Sequence, residues 1–65
     1  MYNYSAQKSA LTKAQKKGQA AVIEATFKAV RAWQEDGAWP DDWSRWDRAL
    51  SEAGTFWTVD EIADA

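Results

Sequence analysis

The stretch "LTKAQKKGQAAV", residues 11–22, decides how this chain folds. Around it, everything from about Ser5 to Asp36 is rich in Ala, Lys, Gln and Glu, which are strong helix formers. Gly18 is the one interruption. Read through that glycine, residues 5–36 make a single helix roughly 48 Å long. Read as a stop, it divides them in two.

The apolar pattern weighs on the choice. At about 100° per residue, Ala10, Leu11, Ala14, Gly18, Ala21, Val22, Ala25 and Ala29 form a narrow stripe of mostly small side chains. Val22, Ile23, Thr26, Phe27, Val30 and Trp33 form a bulkier stripe, its centre turned by about 100° from the first. One straight helix cannot bury both against one partner. The pattern therefore favours a break or kink at Lys17-Gly18-Gln19, although a glycine inside a helix costs only about 1 kcal/mol.

Downstream, Gly37 suits the position just past a helix end, and Pro40 forbids continuation. The segment "PDDWSRWDRALSEA", residues 40–53, predicts a second helix. Pro40 fits its first position. Asp41 and Asp42 then fall where the helix dipole favours negative charge, and Gly54 stops the helix. Trp43, Trp46, Leu50 and Ala53 share one face, which should pack on Phe27, Val30 and Trp33. The short link makes the two helices antiparallel neighbours. In "WTVDEIADA", residues 57–65, Thr58 with Glu61 forms a capping box and Trp57 with Ile62 a hydrophobic staple. A short helix over 59–64 should dock through Trp57, Val59 and Ile62, with Phe56-Trp57 as an extended connector.

The expectation is one all-α domain spanning residues 1–65, a small helical hairpin or bundle with a short docked C-terminal helix. Its core should be Ile23, Phe27, Val30, Trp33, Trp43, Trp46, Leu50, Trp57 and Ile62. One mismatch stands out. A second helix of 14 residues covers about 21 Å, which leaves residues 5–18 without an obvious partner. Three outcomes follow: a turn at Gly18 that folds them back, self-association through the small-residue face, or an arm ordered by a partner.

Composition narrows the function. A chain of 65 residues makes one domain at most and has little core to spend. It has no cysteine and no histidine, so disulfides, thiolate metal sites and the usual neutral-pH acid/base are absent. Dense aromatic packing by Trp33, Trp39, Trp43, Trp46 and Trp57, or self-association, must stabilise it instead. Asp41-Asp42 and Asp60-Glu61 read as acids complementing helix N-termini. No Gly-rich phosphate loop or nucleophile–base spacing is present. The expectation is a protein without catalytic activity, cofactor or metal.

Residues 1–20 are polar and lysine-rich, without the apolar core of a secretory signal. No apolar run reaches the roughly 20 residues that span a bilayer. A cytoplasmic protein without membrane contact is expected. The net charge of −2 conceals an asymmetry. Residues 1–34 carry six cations against Glu24, net +5, and residues 35–65 carry Arg45 and Arg48 against nine acids, net −7. Lys8, Lys13, Lys16 and Lys17 lie away from the Ala stripe, where they could follow phosphates. Tyr2 and Tyr4 are nearby stacking groups. The acidic pI of about 4.9 argues against a dedicated nucleic-acid binder, which makes this the second reading.

The segment "AWPDDWSRWDRALSEA", residues 38–53, resembles one found in small Trp-rich accessory proteins of actinobacterial phages, mycobacteriophages in particular. The likeness is carried by Trp39, Pro40, Asp41, Trp43, Arg45, Trp46, Arg48, Ala49 and Leu50. The opening "MYNYSAQKSALTKA" is similar in character, whereas residues 18–36 and 54–65 add nothing to the likeness. The resemblance implies an origin, a phage-encoded protein made in the cytoplasm of a bacterial host. It brings no mechanism and no residue role.

The leading expectation is therefore binding of a host or phage protein, with self-association as a further option. The candidate interface is Leu11, Ala14 and Gly18 on the small-residue stripe, with Trp39, Arg45 and Arg48. Trp39 fits no stripe; it either caps the core by packing on Trp43 or anchors a partner, and Trp with Arg is the composition of binding hot spots.

Overall fold

Gly18 breaks the first segment into two helices. The computed structural model describes residues 4–65 and contains α1 (Tyr4–Lys17), α2 (Gln19–Asp36), α3 (Ser44–Glu52) and α4 (Val59–Asp64). No strand occurs among the described residues. Gly18 has φ +127° and ψ −171°, a conformation essentially confined to glycine. Nothing lies within 4 Å of the place a Cβ would occupy, so the requirement is conformational and not steric. The one-residue turn lays α1 antiparallel on α2, and the Trp33 indole N–H donates to Gln7 Oε1 at 3.0 Å across the pair. The molecule measures only 28 Å along its longest axis.

This fold-back gives the small-residue stripe its partner. Leu11, Ala14, Val22 and Ala29 are all buried inside the chain's own bundle. Two candidate interface residues, Leu11 and Ala14, are thereby corrected to core residues. Neither helix of the fold-back pair has to bury two separate stripes. On α2 the buried arc runs through Val22, Thr26, Ala29, Val30 and Trp33, centred between the stripes read from sequence. Ile23 and Phe27 are pushed to its edge and are half-buried. The Thr26 hydroxyl, buried in this arc, donates to the Val22 carbonyl at 2.8 Å.

Gly37 closes α2 in the left-handed conformation, its N–H and that of Ala38 both reaching the Trp33 carbonyl. The second helix is shorter than its sequence suggests. Residues 41–43 form a turn and α3 begins at Ser44, because Arg45 and Trp46 donate to the carbonyls of Asp42 and Trp43, three residues back, in the tight 3₁₀ manner. At the other end, Gln19 Nε2 donates to the Gly54 carbonyl at 2.8 Å and holds the end of α3 beside the start of α2.

Trp33 and Trp46 meet edge to face at the centre, ring centroids 5.3 Å apart. Around them Leu50, Val30, Val59 and Ile62 are fully buried. Of the expected core, Val30, Trp33, Trp46, Leu50 and Ile62 are buried, but Trp43 and Trp57 are each 37% exposed. The place at the end of the core is already filled: Trp39 and Tyr4 both pack on the Trp33 ring, at 5.4 and 6.5 Å. On α3, Trp46, Ala49 and Leu50 alone complete the buried face.

Thr58 caps α4 by accepting from the Glu61 N–H at 3.2 Å. The Glu61 carboxylate accepts from the Thr58 hydroxyl at 3.1 Å instead of reaching the backbone, a variation on the expected capping box. Asp47 accepts from the Val59 N–H at 2.7 Å, tying α4 to α3. Arg31 and Gln34 donate to the Ala65 and Ala63 carbonyls at 3.0 and 2.8 Å and so tie down its C-terminus. A helix of six residues is held by these contacts and by Val59 and Ile62, not by its own propensity.

Candidate protein-docking surface

The loop between α3 and α4 builds an aromatic projection. The Thr55 N–H donates to the Leu50 carbonyl at 3.1 Å, which anchors the start of the loop. The Trp57 N–H then donates back to the Thr55 hydroxyl at 3.2 Å and folds the chain around Phe56. Phe56 projects from this small turn with 97% of its surface exposed. Trp57 turns the other way and sets its ring edge to face on Phe27, with centroids 5.3 Å apart.

Ile23 and Phe27 lie one turn apart on the edge of α2, next to Trp57. A shallow depression of about 250 Å³ lies between Gln19 and Ile23 on one side and Thr55, Phe56 and Trp57 on the other. Phe56 and Trp57 together leave on the order of 250–300 Å² of aromatic surface in water, from about 150–250 Å² per ring. Sequence reasoning treated Phe56 as connector. The signal that could have found it is negative: an aromatic placed after a helix stop that belongs to no apolar stripe.

The other candidate interface residues separate. Gly18 is the turn between α1 and α2. Trp39 is 42% exposed and rests on Trp33, not on Trp43. Arg45 and Arg48 are exposed on α3, and Arg45 Nε lies 3.3 Å from Asp42. Trp39 packs near the C-terminus of α2 and Phe56 near its N-terminus. Ile23 and Trp33 are about 15 Å apart along the helix, so the structure does not join Trp39 to the Phe56 surface.

The lysines also divide. Lys13, Lys16 and Lys17 are exposed on α1. Lys8 is half-buried, its ammonium 5.0 Å from the centre of the Tyr4 ring, and it faces a groove against α3. Tyr2 lies outside the described residues. Tyr4 donates its hydroxyl to Asp42 and accepts from the Trp46 indole N–H at 3.3 Å. The Tyr4 bond holds the Asp42 carboxyl below the usual range, with the charges of Arg45 and Lys8 acting the same way. Burial, aided by the bond to Asp42, pushes the Tyr4 phenol up. The pair therefore stays as a neutral phenol and a carboxylate at neutral pH.

Among the described residues no helix is long and apolar enough to cross a membrane, and no group of three or more acidic side chains converges as a metal site would. No protein-family model, curated protein or solved structure matches the chain.

Proposed function

We propose that this chain is a small non-catalytic binding module that docks on another protein through Phe56, with Trp57, Phe27 and Ile23 beside it. The single observation that carries the reading is the 97% exposure of Phe56 on a loop held by backbone hydrogen bonds on either side of it. A fully exposed aromatic costs solubility and contributes nothing to folding. It is the kind of group that becomes an interface anchor once a partner covers it. The half-buried neighbours supply the apolar surround that excludes water from such an anchor. The Trp-Pro-Asp segment and its likeness to phage accessory proteins support a partner from a bacterial host or from the phage itself, met in the host cytoplasm.

The test is capture of partners from an actinobacterial lysate treated with nuclease, comparing the tagged chain with Phe56→Asp. One specific protein captured by the first and lost by the second supports the reading. Identical capture by both refutes it. If light scattering finds a concentration-dependent dimer that Phe56→Asp abolishes, the partner is a second copy of the chain.

A further inference from the structure

A second concave surface lies between α1 and α3, independent of the aromatic one. It is a groove of about 450 Å³, within the size range of about 300–1,000 Å³ that small-ligand sites occupy. Three cations from two helices line it, Lys8 of α1 with Arg45 and Arg48 of α3, against two acids, Asp42 and Glu52. This happens in a chain whose net charge is −2, with nine acids in residues 35–65 available to neutralise them.

The acids at the groove do not balance these charges. Asp42 is already occupied, accepting from Tyr4 and paired with Arg45. The Lys8 ammonium lies over the Tyr4 ring and makes no ion pair among the described residues. Glu52 stands four residues after Arg48, the spacing at which helical ion pairs form. Even so, Arg48 makes no ion pair or hydrogen bond there. A guanidinium fork and an ammonium thus line one groove without a direct ion pair, with the Ser44 hydroxyl and the Gln15 amide on its walls.

The geometry points to a binding site for a small phosphate-type oxyanion, free or carried on a phosphorylated metabolite. A guanidinium pairs with two oxygens of such a group at once, while an ammonium acts as a point charge. No aromatic side chain lines the groove. Recognition is therefore of the phosphate and not of an attached base. A nucleic-acid backbone is disfavoured because Lys13, Lys16 and Lys17, which would follow it, do not line the groove.

The test is a titration of the isotopically labelled full chain with sodium pyrophosphate at constant ionic strength, read by amide NMR shifts. Saturable shifts are expected at Lys8, Gln15, Ser44 and Arg48. Lys8→Gln and Arg48→Gln should each weaken binding about tenfold, the scale of a lost charge-assisted contact, while the rest of the spectrum stays unchanged. Lys13→Gln with Lys17→Gln should leave the affinity as it was. A non-saturating drift, or equal binding by the Lys8 and Arg48 variants, overturns the proposal. So does a single-stranded oligonucleotide that shifts Lys13, Lys16 and Lys17 while pyrophosphate leaves the groove unmoved.

Discussion

Gly18→Ala is a substitution whose sign distinguishes two folds. In a continuous helix over residues 5–36, alanine for glycine would stabilise by about 1 kcal/mol through helix propensity. In the folded-back structure Gly18 holds φ +127° and ψ −171°, where a side chain is strained by about 1–3 kcal/mol. No neighbour lies within 4 Å of the new Cβ, so packing adds nothing and the backbone alone sets the cost. A domain of this size has about 3–10 kcal/mol of stability at typical values per residue. The loss should lower Tm by roughly 5–20 °C. Thermal melts followed by far-ultraviolet circular dichroism measure it. The chain is short enough for chemical synthesis, so D-alanine at position 18 supplies the control. It prefers positive φ and should recover most of the loss. An L-alanine variant as stable as the parent, or more so, would refute the one-residue turn.

Other expectations follow from the same contacts. Trp46→Ala empties the centre of the core and should cost about 3–5 kcal/mol; urea melts should place its midpoint far below that of the parent. Thr58→Ala removes the α4 cap and should cost about 0.5–2 kcal/mol, with hydrogen exchange accelerated in α4 before the rest of the bundle. Tyr4→Phe removes the donor that lowers the Asp42 carboxyl. Because the folded Asp42 value lies below the unfolded one, its stabilisation is present above the unfolded value and is lost as pH falls through the folded one. In Tyr4→Phe the Asp42 carboxyl should titrate at higher pH, seen by carbon NMR, and the acid-dependent part of its contribution should shrink.

The helices were legible because their ends carry chemistry. Gly37 and Pro40 closed α2, Thr58 and Glu61 opened α4, and the two apolar stripes favoured a break or kink at Gly18 without deciding between that and a continuous helix. What the sequence left open was which face each segment would bury. The core arc of α2 lies between the two stripes, and only the return of α1 fixes it there, which a pattern read along one helix cannot show. The tryptophans were equally ambiguous. Trp33 and Trp46 fill the centre, Trp39 and Tyr4 close its end, and Trp43 is left outside because that place is taken. Start signals also misled at Pro40, where a tight turn over residues 41–43 precedes the helix. For the candidate surfaces, the stripe of Leu11 and Ala14 looked uncovered because its cover is the same chain. Phe56 went unnoticed because a loop residue has no periodicity to betray it.

The most direct measurement is a paired one on Phe56→Asp: its Tm beside its capture of partner from lysate. Phe56 is almost fully exposed, so Tm should stay within about 2–4 °C of the parent, as for a neutral surface change, while specific capture disappears. Undiminished capture by a variant of unchanged stability would contradict the account, and the docking surface would have to be sought elsewhere on the molecule.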